Sequence, residues 1–232
     1  DEHFEAFSEG DYVRVVGTTQ LYSGALQIIL TEIDQVDPTR VDETAFRVLT
    51  QDAVARLRQE LNDFAKTLDE SLPKLVFEEV LSDATLMEAF ERCPAGIKHH
   101  HAYAGGLLEH VVMLLRLADR VASLYPDLDR DLLLVGVLVH DIGKTVELEN
   151  EKGFSYTDSG QLLGHVLLGI EIVDNKIHKI EERTGQPFDP EISNRIKHMV
   201  ASHHGEYAFG APKLPMTLEA IALHFIDALD AK

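Results

Sequence analysis

Two different periods of hydrophobic positions divide the chain. Over residues 11–17 apolar and polar residues alternate, and residues 26–33 are rich in strand formers, with a turn at residues 22–25 between them. From about Asp42 the apolar residues recur at spacings of three and four, which is the period of an amphipathic helix. We therefore expect a β hairpin, with enough chain for a third short strand, followed by an all-α body.

Prolines and turn residues separate the predicted helices. The pattern predicts helices over about 42–68, 74–81, 83–92, 101–124, 130–140, 161–183, 190–202 and 217–231. Pro73 is expected to stop the first of these helices, and the polar stretch 149–158 is expected to be a loop. The expected division is a partial β unit over 1–40, a helical linker or start of the helical domain over 41–98, and the main helical domain over 99–232.

Composition is that of an ordinary globular protein, with 45% hydrophobic and 26% charged residues. The longest apolar run, over residues 132–139, is far shorter than the roughly 20 residues needed to span a bilayer, so no membrane partner is expected. A single cysteine, Cys93, excludes an internal disulfide and a thiolate metal cage. A reducing cytoplasm is the natural location for such a chain.

The formal net charge of −19 bears on the choice of partner. Affinity for nucleic acid comes largely from neutralising phosphates, so an acidic chain has little broad attraction to it. Bound divalent cations can reverse the sign locally. The charge therefore weakens, without removing, the case for a polyanionic substrate.

Candidate chemistry is concentrated in histidines and aspartates at helix ends and on helix faces. These residues are His110, His140, Asp141, His165, His203, His204 and Asp227. Imidazoles and carboxylates are ligands for first-row divalent ions. An apolar helix that ends in His140-Asp141 would bury two polar groups, and a metal would pair with them. The two oxygens of Asp141 could bridge two ions, as in two-metal hydrolysis.

The structural alternative applies to each residue taken singly. Isolated histidines such as His178 and His198 fit hydrogen-bonded structural positions, and a His-Asp pair alone is common. The ordered set, with His-Asp-x-Gly-Lys at a helix end, is what favours a metal site.

This order of residues resembles the HD superfamily of metal-dependent phosphohydrolases, in its two-metal variant with extra histidines. The resemblance runs from about His99 to the C-terminus and is strongest to the YhaM-type 3′-to-5′ exoribonucleases of bacteria. The segments that carry it are 100–110, 160–165, 202–206, 210–215 and 223–231. Those enzymes have an oligonucleotide-binding (OB) barrel before the HD domain. Residues 10–17 and 22–30 look like its last strands, so we expect a fragment with an incomplete nucleic-acid clamp.

The resemblance also implies the ligands of two metal ions. One ion would be held by His110, His140, Asp141 and Asp227. The second would be held by Asp141, His165, His203 and His204. Asp230 is an alternative to Asp227, because the two residues lie three apart on nearly the same helix face.

Further roles carried over by the resemblance concern the substrate. Lys144 would bind a phosphate oxygen and stabilise transition-state charge, or it is simply a lysine that answers the helix dipole. His100 and His101 would contact a phosphate or donate a proton, the alternative being an outer or surface position. Lys213 would contact the nucleic-acid backbone, the alternative being a solvated loop lysine.

The residues and the resemblance together predict a metal-dependent phosphodiesterase. We expect it to release 5′-nucleotides from the 3′ end of single-stranded RNA, or DNA, with Asp141 and two metal ions activating water. Manganese is the preferred metal, and iron, nickel, magnesium and zinc remain open. One alternative is a phosphohydrolase for a nucleoside phosphate, dinucleoside polyphosphate or cyclic nucleotide. Another is a non-enzymatic helical signalling module, against which the complete ligand set argues. A homo-oligomer remains open.

Overall fold

The structure of the chain is a computed structural model that describes residues 7–8, 11–22, 25–41, 49–96, 103–149 and 155–230. The described residues form two compact units, a β hairpin segment up to residue 41 and a helical body made of 49–149 and 155–230. The expected class, mainly α with a small β segment in front, is confirmed.

The hairpin consists of β1 (Val13–Tyr22) and β2 (Ala25–Gln35), which pair antiparallel. Val13 lies opposite Gln35 and Tyr22 opposite Ala25, with a register shift between Val16 and Gly17. In the described part of this unit no third strand joins the pair. The likeness to the end of an OB barrel therefore rests on the sequence and stays a prediction.

The helical body is built from helices with one small hairpin inserted. In chain order the elements are α1 (Gln51–Thr67), α2 (Leu72–Ser82), α3 (Ala84–Arg92), α4 (Gly106–Ala122), α5 (Arg130–Val139), α6 (Lys144–Glu147), β3 (Leu148–Glu149), β4 (Ser155–Tyr156), α7 (Asp158–Thr184), α8 (Pro190–Ser202) and α9 (Leu218–Asp230). None of the described helices is both long and apolar enough to cross a membrane.

Some helix boundaries differ from those predicted. Pro73 does not end α1, which stops at Thr67; it lies in the first turn of α2, where a residue without an N–H costs nothing. Helix α4 begins at Gly106 rather than 101, because Gly105 adopts φ 87°, a left-handed conformation outside the helix. The predicted positions 101–102 lie outside the described residues. The expected loop at 149–158 contains β4, and α7 already begins at Asp158.

Helix α5 lies at the centre of the helical body. All of its residues from Leu132 to Val139 are buried, and it packs against α2, α4, α8 and α9. Asp129 caps its N-terminus by accepting a hydrogen bond from the Leu132 N–H. Because the core surrounds this helix on several sides, the polar pair at its C-terminal end is held in a fixed position inside the protein.

Candidate metal centre

Five helical segments bring the predicted ligands together inside the body. His110 comes from α4, His140 and Asp141 follow α5, His165 lies in α7, His203 and His204 follow α8, and Asp227 lies on α9. All of them except Asp141 form two groups of three, and within each group the potential ligand atoms lie within 4.8 Å of one another.

The first group consists of His110, His140 and Asp227. The Nε2 atoms of His110 and His140 lie 3.3 Å apart. Oδ1 of Asp227 lies 3.3 Å from His110 Nε2 and 3.9 Å from His140 Nε2. Two imidazole nitrogens and one carboxylate oxygen therefore face a common point.

The second group consists of His165, His203 and His204. The Nε2 atoms of His165 and His204 lie 3.2 Å apart, and the rings of His203 and His204 are 4.2 Å apart between centroids. This side of the centre is richer in nitrogen, because a third histidine takes the place that Asp227 holds in the first group.

Asp141 lies between the two groups. Its Oδ2 is 3.4 Å from His140 Nε2, and its Oδ1 is 3.5 Å from the Nε2 atoms of both His165 and His203. The carboxylate is almost fully buried, with 4% of the residue exposed. A single side chain thus faces both groups, as a bridging ligand would.

Hydrogen bonding at the far side of two rings shows that a cation fits here. Nδ1 of His140 lies 2.8 Å from the Val137 carbonyl, and Nδ1 of His203 lies 2.8 Å from the Val200 carbonyl. Since a carbonyl only accepts, each neutral ring carries its proton on Nδ1 and turns the Nε2 lone pair towards Asp141.

Lone pairs that face carboxylate oxygens repel each other unless a positive charge lies between them. Among the described residues, the buried atoms Asp141 Oδ1, His203 Nε2 and His204 Nδ1 have no hydrogen-bond partner. Unpaired buried polar atoms are costly, and a metal ion would satisfy Asp141 Oδ1 and His203 Nε2, which face the centre. The donor set therefore fits divalent metal ions, and the chain is a divalent-metal protein.

The electrostatics of the site favour the metal-binding form at Asp141 and His204 but not at His110. Burial would lower the pKa of His110, but Asp227 and Asp230 raise it to about 9, so this ring must lose a proton when a metal binds. Burial would raise the pKa of Asp141, but the Lys144 ammonium holds it well below its usual value. Burial lowers the pKa of His204 to about 3, with His203 and His165 adding to the effect. An ionised carboxylate and neutral imidazoles are the states that metal ligation requires.

Two carboxylates that the sequence reasoning did not place in this role orient ligand rings from behind. Oδ2 of Asp230 lies 2.8 Å from His110 Nδ1, so its contact is on the side of the ring opposite Asp227. Glu147, which is buried, accepts from the His165 backbone N–H at 3.0 Å and lies 3.3 Å from its Nδ1. A carboxylate behind a histidine fixes the tautomer and raises the ring's basicity towards a metal.

Close backbone approaches explain two glycines near the ligands. A Cβ on Gly143 would lie 1.9 Å from the His165 carbonyl oxygen, so only glycine lets this turn meet α7. Gly205 has φ 78°, and a Cβ there would lie 2.0 Å from the His224 ring. Nδ1 of His224 donates a hydrogen bond to the His203 carbonyl at 2.8 Å, because a carbonyl can only accept. A break at Gly164, with φ 72° and ψ 159°, makes His165 the start of the second part of α7.

The predicted substrate-contacting residues are placed differently. Nζ of Lys144 lies 2.6 Å from both Asp141 Oδ2 and the Ala95 carbonyl, which leaves one of its three N–H groups beyond these contacts. Lys213 is exposed in the segment between α8 and α9. His100 and His101 lie outside the described residues, so their roles stay predictions.

Comparison with known proteins agrees with this geometry. The HD domain family matches residues 107–232. The 3′-5′ exoribonuclease YhaM of Listeria innocua is 35% identical over 94% of this chain and 68% of its own length. The protein of the same name from Bacillus pumilus is 36% identical over 98% of this chain and 70% of its own length. That from Bacillus velezensis is 44% identical over 60% of this chain and 42% of its own length. No solved structure matches the chain.

The chain is therefore a hydrolytic enzyme with an HD domain. It belongs to the HD-domain family, in the group that contains these YhaM proteins. The expected family is confirmed.

Proposed function

We propose that the chain is a metal-dependent 3′-to-5′ exoribonuclease that releases 5′-nucleotides from single-stranded RNA. The observation that carries this proposal is the pair of lone-pair contacts to Asp141, which cations at the point where two groups of ligands meet would satisfy. The exoribonuclease name of the relatives supports RNA as the substrate and the 3′ end as the point of attack.

The proposed ligand sets follow the two groups. One ion is held by His110, His140, Asp227 and Asp141, and the other by His165, His203, His204 and Asp141. Bound ions would polarise a phosphodiester and lower the pKa of water towards neutrality. Manganese is the proposed metal, since the first set mixes carboxylate oxygen with imidazole nitrogen.

The chain's own groups prepare the site for this chemistry. Lys144 keeps Asp141 ionised through a 2.6 Å contact and can direct its remaining N–H towards a phosphate oxygen. Asp230 and Glu147 hold the rings of His110 and His165 in place, so the ligands need little reorganisation when the site fills. Burial of Asp141, His140 and His203 excludes water from the ligand atoms.

The decisive experiment is digestion of a 5′-labelled single-stranded RNA with and without Mn²⁺. A ladder that shortens from the 3′ end only with metal supports the proposal. An untouched strand together with hydrolysis of a small nucleotide would select the alternative phosphohydrolase, which the net charge of −19 favours. Activity that survives complete metal removal would contradict both.

The ligand assignment has its own test. Asp141→Asn should lose hydrolysis and most bound manganese, because it removes the charge that faces both groups. Asp127→Asn, an exposed turn residue, is the charge-matched control and should retain both.

The protein is proposed to act in the cytoplasm, as its single, buried cysteine suggests.

A further inference from the structure

The short turn that follows the histidine pair of α8 carries two exposed aromatic side chains. Tyr207 and Phe209 are each 66% exposed. In the described helical body, the other aromatic side chains with high exposure are Tyr125, Tyr156 and Phe225. Two of these five thus lie in one three-residue turn, three and five residues after His204.

The turn is held rigidly by its backbone. Residues 207–209 form a 3-10 turn in which the Phe209 N–H bonds to the Glu206 carbonyl at 3.0 Å and the Gly210 N–H to the Tyr207 carbonyl at 3.1 Å. The Ala211 N–H also bonds to the Glu206 carbonyl, at 3.2 Å, and Ala211 is buried. The aromatic pair is therefore presented on an ordered frame, and little further ordering is needed when a ligand binds.

The end of the turn lies beside the ring of His204, one of the histidines of the nitrogen-rich group. A Cβ on Gly210 would lie 3.9 Å from Nδ1 of His204. Since consecutive Cα atoms are about 3.8 Å apart, the Cα of Phe209 lies within about 9 Å of that ring. A strand with a phosphate on the centre would bring its bases near this turn.

The charge of the chain indicates what kind of contact must supply affinity for such a strand. With a net charge of −19, the protein as a whole repels a polyanion, and phosphate neutralisation cannot dominate. Lys213, exposed in the same segment, supplies one cation. Stacking of bases on aromatic rings is the other general source of affinity for single strands, and it does not depend on net charge.

We propose that Tyr207 and Phe209 form a nucleobase-stacking subsite for the bases at the 3′ end of a single-stranded RNA substrate. The inference rests on the proposed exoribonuclease function and names how that substrate is held. The subsite tolerates any base, because every base has a π face, and it does not read the 2′-hydroxyl.

The test compares two substrates in the full chain with Mn²⁺. One is a labelled single-stranded RNA, and the other is the same strand with abasic residues at its 3′ end. Tyr207→Ala and Phe209→Ala should each raise KM for the intact strand about 5-fold to 100-fold, with a smaller change in kcat. Wild-type enzyme should show a similarly raised KM on the abasic strand, and the alanine variants should have the same KM as wild type on that strand.

Two controls separate stacking from a general disturbance. Tyr207→Phe and Phe209→Tyr keep an aromatic face and should restore KM. Tyr125→Ala removes a ring that is 59% exposed. Tyr125 follows the C-terminus of α4, whose last residue, Ala122, lies about 18 Å from His110 along the helix axis. It should behave as wild type on both substrates.

Unchanged KM in both alanine variants would overturn the subsite, and so would an equal loss on the intact and abasic strands. If the wild-type chain fails to shorten the intact strand from its 3′ end, the proposed function fails instead. In that case the subsite can still be tested by measuring binding of fluorescent RNA by anisotropy with EDTA present. The alanine variants must bind the RNA more weakly than wild type for the subsite proposal to hold.

Discussion

The ion pair between Asp83 and Lys176 joins the start of α3 to α7, the helix that carries His165. Nζ of Lys176 lies 2.5 Å from Asp83 Oδ2, and the Lys176 side chain is only 4% exposed. Asp83 also caps α3 by accepting from the Leu86 N–H at 3.1 Å. Asp83→Asn keeps an acceptor for that cap but removes the charge, and with it the ion pair to Lys176 and the longer one to Lys179 at 3.5 Å.

The pKa of Asp83 gives the magnitude. The hydrogen bonds from Lys176 and from the Leu86 N–H lower this pKa from 3.8 to about 2. Burial has a smaller effect in the opposite direction. A shift of nearly two pH units corresponds to about 2.5 kcal/mol of stability at neutral pH. Because the variant also leaves a buried ammonium without its closest partner, the loss should be about 2–4 kcal/mol.

The pH dependence follows from the sign of this shift. The folded-state pKa lies below the unfolded value, so the stabilisation is complete above about pH 5 and is lost as the pH falls through about 4 to about 2. Urea unfolding of wild type and Asp83→Asn, followed by circular dichroism, should show a difference that falls by about half between pH 5 and pH 3.

Matched variants decide whether the pair is responsible. Asp63→Asn removes the same charge from an exposed pair with Lys66 and should change stability little. Lys176→Met removes the buried charge itself and should cost less than Asp83→Asn. The reasoning is refuted if Asp83→Asn is as stable as Asp63→Asn, or if its deficit is the same at pH 3 as at pH 7.

Other predictions concern the supports of the metal centre. Glu147→Gln should weaken manganese binding about 10-fold to 100-fold by calorimetry, because it removes the charge behind His165; unchanged affinity would dismiss that role. Asp230→Asn should weaken binding less than Asp227→Asn, since Asp230 contacts the far nitrogen of His110 and Asp227 the nitrogen that faces the centre; the reverse order would make Asp230 the ligand. Gly143→Ala should lose metal by elemental analysis, as its Cβ would meet the His165 carbonyl. Gly96→Ala, whose Cβ would have no atom of the described residues within 4 Å, should keep it.

Local signals in the sequence were enough to place much of the fold and of the centre. The apolar run of α5 predicts a buried helix, so the residues at its C-terminal end are expected to lie in the interior. The histidine pair at residues 203–204 was correctly placed at the end of α8. In each case the prediction rests on signals that lie within one helix. These are the period of its apolar residues and a strong end signal, such as Asp189-Pro190 at the start of α8.

Features that depend on contacts between elements were not visible in the sequence. Glu147 is one acidic residue among 40 Asp and Glu, and only the fold brings it behind His165. The sequence alone does not show which helix Pro73 belongs to, because a proline is common both after the end of one helix and in the first turn of the next. Asp227 and Asp230 share a helix face, and only the orientation of the His110 ring places them on opposite nitrogens.

The position of Asp141 between the two groups has a practical consequence for loading the enzyme. In the proposed two-ion arrangement, a first ion on either side would draw on the same carboxylate that the second ion needs, and the two cations would repel each other across it. Chains supplied with too little metal would therefore fill to one ion each before any received two. Turnover plotted against added metal would start with a lag and rise steeply only past one equivalent, so partially loaded preparations would look far less active than their metal content implies.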